Sequence, residues 1–339
     1  MLRLSGDTAS AAPTIDAYLR DRAQSDPAQS DPARAKAAEV IAAIASASVP
    51  LARRLAQGEL PGDPKRKVGV NSAGDSQKAL DMAAHDHFVA VLIAAGVRAI
   101  LSEEAEDMIP GAAEGLVSVA IDPIDGSGSI GIGAPLGTLF AIYPASDAGD
   151  EFRMSGRSLL AAGYVSFGHS VDFGFSLGDG VVIATLDPAS NVFRVVVEDA
   201  RLPLEASEIA YNASLYWHWR PGVQAYVDDC LAGRDGPRER DFNMRWLAAA
   251  VGELHRILRR GGMFFYVADK RKGYREGRLR LIYEAVPIAF LCEAAGGAAT
   301  DGARPILDLV PETLHQNIPL VFGCADEVAT FATYAARDN

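Results

Sequence analysis

An apolar run, Leu116-Val-Ser-Val-Ala-Ile121, stops abruptly at Asp122-Pro-Ile-Asp-Gly-Ser-Gly-Ser129. The β-branched content of the run predicts a buried strand. Pro123 has no N–H to give to a ladder, so the strand cannot simply continue. Asp122 and Asp125 therefore fall three residues apart on a turn at a strand end. Gly126 and Gly128 follow, where the backbone can approach a ligand closely with its N–H groups exposed. Two acids beside a cradle of amides suit divalent cations holding a phosphate, because Mg²⁺ takes carboxylate and phosphate oxygens together. Alone, so short a motif reads equally well as a strand closing in an Asp/Gly turn. The rest of the chain decides between the two.

The 339 residues suffice for a large core and predict two closely joined subdomains. No run of about 18 uninterrupted apolar residues exists, so no membrane span is expected. The opening residues, Met1-Leu-Arg-Leu-Ser-Gly-Asp7, lack the apolar core of a secretory signal, and a cytoplasmic location is expected. Cys230, Cys292 and Cys324 are odd in number and widely spaced, which reads as reduced thiols rather than a disulfide framework or a zinc site. A net charge of −12 argues against nucleic acid as a partner. It also means that an anionic substrate needs local cations to reverse the field.

Residues 1–32 contain a duplicated Gln-Ser-Asp-Pro-Ala tract and predict a mobile arm. A helix is expected from Ala33 to Gln57, divided near Pro50, and a loop from Leu60 to Gly74. A second helix is expected from Ser76 to Ala95, capped by Asp75, with Leu80, Ala84, Phe88 and Leu92 on its buried face. A short strand, Val97–Leu101, ends in Ser102-Glu103-Glu104. Further strands are expected at Gly137–Tyr143, Leu159–Val165, Phe173–Ser176, Val181–Leu186 and Val192–Val197. The second half predicts helices at Val223–Leu231 and Arg245–Arg259 and strands at Met263–Val267 and Leu279–Tyr283, the last delivering Glu284. A helix then runs from Ile288 to Ala295, between Pro287 and Gly296-Gly297. One more strand near Leu320–Phe322 and a last helix complete the chain.

Glu103, Asp122, Asp125 and Glu284 all sit at predicted strand ends, with Asp75, Asp81 and Glu104 close by in sequence. Strand ends of an α/β layer converge, so distant acids can share a site. Packed carboxylates repel unless cations lie between them. The six histidines are not needed, and His85 and His87, two residues apart on a helix, point away from each other.

Ser102-Glu-Glu104, Asp122-Pro-Ile-Asp-Gly-Ser127 and Leu279-Arg-Leu-Ile-Tyr-Glu284 with its Ala-Gly-Gly stop resemble the class 1 fructose-1,6-bisphosphatases. So do Gly74-Asp-Ser-Gln-Lys-Ala-Leu-Asp81, Asn212, Arg245, and His255-Arg256 before Gly261-Gly262. The resemblance runs from about residue 35 onward. Asp-Pro-Ile-Asp-Gly alone is shared with the wider lithium-sensitive phosphatases, including inositol monophosphatases, and the C-terminal pieces select the bisphosphatase branch.

That resemblance implies an α/β fold layered αβαβα with mixed sheets. It implies an N-terminal subdomain over residues 33–205 carrying most of the metal site, and a C-terminal one over 206–339 carrying sugar contacts. It places Mg²⁺, or Mn²⁺, on Glu103, Asp122, Asp125, Glu284 and the Ile124 carbonyl. The departing phosphate and the sugar bisphosphate would lie on Asp125, Gly126, Ser127, Gly128, Asn212, Tyr266 and Arg278. Arg245 would reach a neighbouring subunit's 6-phosphate, which implies a homo-oligomer, by default a tetramer. The implied reaction is removal of the 1-phosphate of fructose 1,6-bisphosphate, in gluconeogenesis or the reductive pentose phosphate (Calvin) cycle. Asp75 and Glu104 would activate or orient the attacking water, and Thr138 would donate to the leaving oxygen. An inositol-phosphatase-like enzyme or a non-catalytic scaffold are the alternatives.

The chain departs from the family's pattern around the sugar. Arg278 stands where Lys is common, Trp246 where a Tyr is common, Gly128-Ser129 for Ser-Asn, and Ala249-Ala250 for a Ser-Met pair. Sedoheptulose 1,7-bisphosphate becomes an additional candidate substrate. The animal enzymes' AMP site has no match: its Gly-Glu-x-Thr helix start is missing near Ala33–Ala38, its Lys-Tyr pair falls on Leu116-Val117 and its Arg on Pro144. Insensitivity to AMP is expected.

Overall fold

Residues 10–25, 31–70 and 76–338 are described by the computed structural model. The larger sheet has eight strands in the order Val192–Ala200, Val181–Asp187, Val171–Ser176, Ala161–Phe167, Leu136–Pro144, Val117–Asp125, Ala99–Ser102, Ile109–Pro110. Neighbours are antiparallel except Ala99–Ser102 and Val117–Asp125, which run parallel. The smaller sheet has the order Asn243–Met244, Glu208–Ala210, Met263–Tyr266, Leu320–Gly323, Ala298–Thr300. Among the described residues the α-helices are α1 (Ile15–Ser25), α2 (Pro32–Ala56), α3 (Ala79–Ala94), α4 (Pro221–Leu231), α5 (Ala250–Arg260), α6 (Val286–Ala294) and α7 (Ala325–Ala335).

Alternation along the strands sorts side chains into layers. Val117, Val119 and Ile121 pack with Phe140 and Ile142 beneath α1, α2 and α3. Ala120, Leu139 and Ala141 face the other way, onto Val251 and Leu254 of α5 and Ile288 and Leu291 of α6. That middle helical layer also covers Phe264 and Phe322 of the smaller sheet. The far face of the smaller sheet, with Phe265 and Val321, packs on Val227 of α4 and Phe331 of α7. The result is the αβαβα arrangement with mixed sheets that the sequence led us to expect.

Four local expectations differ. Within the stretch read as an arm, Ile15–Ser25 is helical because Ile15 and Leu19, one turn apart, are buried. Pro13 accepts from the amide of Val195 at 2.8 Å, so the chain before α1 covers the edge of the larger sheet. α2 runs through Pro50 undivided, since Ile41 and Ile44 before it and Leu51 after it share one buried layer. By length and composition α2 is apolar enough to cross a bilayer, but 56% of its apolar window is buried inside the protein. Lys67–Val70 pairs with Ser76–Lys78 as a hairpin where a loop and a helix start were expected, and α3 begins at Ala79. Asp75, its expected cap, lies outside the described residues, and the Asp81 carboxylate accepts the Lys78 amide at 3.1 Å. α5 begins only at Ala250, and Arg245–Ala249 precedes it as a non-helical turn with Ala248 at φ 61°.

Candidate metal centre and phosphate cradle

Parallel pairing brings the first two acids together. Ser102 lies opposite Ile121, and the Glu103 amide donates to the Ile121 carbonyl at 3.1 Å, so Glu103 and Asp122 emerge side by side from adjacent strand ends. A β-bulge then aligns the third. Asp122 pairs with Leu139 and Asp125 with Gly137, three steps on one strand against two on the other. Without the extra residue, Asp125 would point to the opposite face of the sheet from Asp122. The bulge is pinned at both ends of the Pro123–Ile124 peptide. The Ile124 amide donates to Asp122 Oδ1 at 2.9 Å, and the Thr138 hydroxyl donates to the Pro123 carbonyl at 2.9 Å. Thr138, expected to serve a leaving oxygen, is buried and gives its hydroxyl to this carbonyl in the structure.

Glu284 arrives differently from the expectation. The strand Leu279–Arg280 is short, and Leu281–Ala285 forms a π-helical turn leading into α6. Such single wide turns are rare and concentrate at functional sites. The Arg280 amide donates to the Glu284 carboxylate at 2.5 Å. Carboxylate oxygens of Asp122, Asp125 and Glu284 all lie within 4.8 Å of one another, and all three residues are buried. Glu103, half-buried, hydrogen-bonds to Asp122.

Burial is the main force raising the pKa of all four acids. It lifts Glu103 to about 7 and Asp125 to about 6, the latter held down by N–H groups of Val251, Gly126 and Ala250. Asp122 and Glu284 are driven well above the carboxylate range, first by burial and then by the neighbouring charges. An all-oxygen donor set under such mutual repulsion fits hard divalent cations, which turn the repulsion into attraction.

Beside the acids, Gly126 adopts φ +79°, and a Cβ there would come within 2.7 Å of the Ala249 Cβ. A Cβ on Gly128 would meet nothing within 4 Å, so open space adjoins the Ser127–Ser129 turn. Lys78 Nζ donates to the Ser127 carbonyl, and Gln77 Nε2 donates to the Glu104 carbonyl and carboxylate at 3.0 and 2.8 Å. The hairpin therefore touches both the Glu103-Glu104 turn and the cradle. Sequence reading gave no role to Lys78; Asp81, counted there among the acids near the cluster, is 2% exposed with Oδ1 lacking a hydrogen-bond partner. Asp81 carried a readable signal: an acid one position after Leu80 at the start of an apolar helix. His85 and His87 are structural as read, bonded to Ser102 and the Ala47 carbonyl.

The second half supplies the remaining expected residues. Asn212 Oδ1 accepts from the amide and hydroxyl of Ser214 at 3.1 and 2.6 Å. Tyr266 is half-buried with its ring 6.3 Å from that of Trp246, which stacks on Phe264 at 5.8 Å. Arg278 is exposed and donates to Tyr274. Arg245 is exposed and approaches Glu208 at 3.4 Å. Both arginines reach side chains outside the metal cluster.

The family described as Fructose-1-6-bisphosphatase, N-terminal domain, matches residues 38–198, and its C-terminal domain matches residues 202–336. This chain belongs to the fructose-1,6-bisphosphatase family. Curated relatives named fructose-1,6-bisphosphatase class 1, from Brucella anthropi and Brucella suis, are 57% identical over 295 residues, covering 87% of this chain and 86% of theirs. The crystal structure of Leishmania major fructose-1,6-bisphosphatase in holo form superposes with a TM-score of 0.87 at 27% identity, covering 97% of this chain and 100% of that one. In the frame of the fructose-1,6-bisphosphatases, the acids here lie in the N-terminal match save Glu284, which the π-helical turn brings across from the C-terminal one.

Proposed function

We propose that this protein hydrolyses the 1-phosphate of fructose 1,6-bisphosphate to fructose 6-phosphate and phosphate, using Mg²⁺ or Mn²⁺. The observation that carries the reading is the buried meeting of Asp122, Asp125 and Glu284 within 4.8 Å. Glu103 and the Ile124 carbonyl complete the ligand set. When bound, divalent ions supply Lewis-acid polarisation of the phosphoryl oxygens and lower the pKa of water. The protein's own groups do the rest. Amides and hydroxyls from Gly126 to Gly128 hold the phosphate, and Lys78, which donates to the Ser127 carbonyl, keeps that turn in place. Glu104, oriented by Gln77, takes a proton from the attacking water, with Asp75 as its partner in that role.

The N-terminal subdomain, residues 33–205, carries most of the metal site, and residues 206–339 supply Glu284 and the sugar contacts. Asn212 offers its NH₂ donors, Tyr266 its hydroxyl and Arg278 its guanidinium to the retained 6-phosphate. Arg245 serves the neighbouring subunit's 6-phosphate in a homotetramer. Support for assembly comes from Trp217, 80% exposed, and Met244, 49% exposed, beside Asn212 and Arg245 in sequence. The enzyme works in the cytoplasm, in gluconeogenesis or the reductive pentose phosphate cycle. Sedoheptulose 1,7-bisphosphate is a second substrate, favoured by the small Ala249 and Ala250 beside the cradle.

Phosphate release from fructose 1,6-bisphosphate, sedoheptulose 1,7-bisphosphate and inositol 1-phosphate, with Mg²⁺ and with chelator, tests the reading. Metal-dependent release from the bisphosphates supports it. Release from inositol 1-phosphate alone, or from none, overturns it.

A further inference from the structure

We propose that His315 is a positioning residue that ties together the two chain segments bearing Glu103 and Glu284. The inference rests on the metal-centre reading above. Sequence reading gave this histidine no role. It lies in the loop between the Pro311 region and the strand Asn317–Ile318, far in sequence from both acids.

Both ring nitrogens are engaged. Nε2 lies 3.0 Å from the Glu106 carbonyl, and Nδ1 lies 2.9 Å from the Tyr283 hydroxyl. A carbonyl oxygen only accepts, so Nε2 carries a proton, and in the neutral ring Nδ1 accepts from the tyrosine. One arm thus holds the turn two residues beyond Glu104. The other holds the residue immediately before Glu284, inside the π-helical turn. Tyr283 is 1% exposed, so the side chain is shielded from bulk solvent.

The histidine is itself fixed from behind. Arg280 Nη1 donates to the His315 carbonyl at 2.9 Å and to Asn317 Oδ1 at 2.7 Å, and the Leu281 amide donates to the Gln316 carbonyl at 2.8 Å. Arg280 also gives its amide to Glu284. The rigid imidazole is suited to this place: a donor and an acceptor on opposite edges of one ring set the distance between two backbones. Four mutually repelling acids have every electrostatic reason to spread apart, and this brace opposes that. Groups that orient metal ligands from behind typically change metal affinity 10- to 100-fold when removed.

The test is a calorimetric titration of Mn²⁺ into the chelator-stripped full chain. His315→Ala is expected to weaken Mn²⁺ binding by about tenfold. Tyr283→Phe, which removes one hydroxyl, should shift binding in the same direction. The double variant should bind no more weakly than the worse single one, because both changes cut one link. In turnover assays the Mn²⁺ concentration for half-maximal rate should rise while KM for fructose 1,6-bisphosphate at saturating Mn²⁺ stays within about twofold, in keeping with a role confined to the metal ligands. Unchanged Mn²⁺ affinity in Tyr283→Phe and in folded His315→Ala, with only a lower Tm, would overturn the proposal. If His315→Ala does not fold, Tyr283→Phe and His315→Gln, which keeps an N–H for Glu106, decide it by the same titration. A wild-type protein that takes up no Mn²⁺ would sink the metal-centre reading itself, an outcome distinct from equal binding by wild type and variants.

Discussion

Asp125 Oδ2 accepts the backbone N–H of Val251 at 2.7 Å. The bond joins the second acid of the motif to the first turn of α5, 126 residues later. It is possible because Gly137, directly opposite Asp125 in the ladder, has no side chain: a Cβ there would come within 2.5 Å of the Val251 methyls. Asp125 therefore works twice, as a member of the acidic cluster and as the cap of a helix whose own N-cap position is Ala249.

That double role separates two otherwise similar variants. Asp122→Asn removes an acid whose ionisation is opposed by burial and by three neighbouring carboxylates. It should raise the Tm of the metal-free protein by about 2 °C or more and cut turnover at least about 100-fold. Asp125→Asn should lose turnover equally but raise Tm less, because it also weakens the contact with α5. Scanning calorimetry in chelator and a phosphate-release assay check both.

The acids also set a pH signature. Glu103 and Asp125 titrate at about 7 and about 6 in the fold, above their ordinary values near 4 in an unfolded chain. Their folded forms hold protons more tightly, so their contribution to stability is complete below about pH 4 and is lost as pH rises through about 6 to 7. Metal-free Tm should fall across that window, and the rise in Tm on adding Mg²⁺ should grow across it. Thermal melts from pH 4 to 8, with and without Mg²⁺, are the measurement.

Ala248 sits at φ 61°, a left-handed conformation that costs a residue with a Cβ about 1 kcal/mol or more. Ala248→Gly should stabilise the protein by about 0.5–1 kcal/mol after the greater unfolded-state freedom of glycine is subtracted. Urea denaturation reads the difference.

At the start of α2, Asp31 Oδ1 accepts the amides of Ala33 and Arg34 at 2.8 and 3.1 Å. A carboxylate of the chain itself thus occupies the anion position of that helix end. With Leu116 and Pro144 standing where cationic or phenolic groups would be needed, millimolar AMP should leave the rate unchanged in a steady-state assay. Half-maximal inhibition at micromolar AMP would contradict this.

Much of the centre was readable because its determinants are local. The apolar run before Asp122, the proline after it and the short connection from Glu103 to the next strand fixed three acids at strand ends. Three features were hidden for physical reasons. Leu279–Tyr283 is apolar enough to read as a strand, and nothing in it announces a π-helical turn whose lining is tertiary. Arg245–Ala249 has good helix formers, yet α5 starts later, because its amides find their acceptor on Asp125 and that cap is invisible in any local window. The docking of α1 was hidden in the same way, since the strand edge it covers lies near Arg194.

The most direct measurement is a crystal of the protein grown with Mn²⁺, recorded at a wavelength where manganese scatters anomalously. The account predicts a strong anomalous peak bounded by carboxylate oxygens of Asp122, Asp125 and Glu284. A map with no peak there, in a protein that releases phosphate from fructose 1,6-bisphosphate at full rate in Mn²⁺, would contradict it.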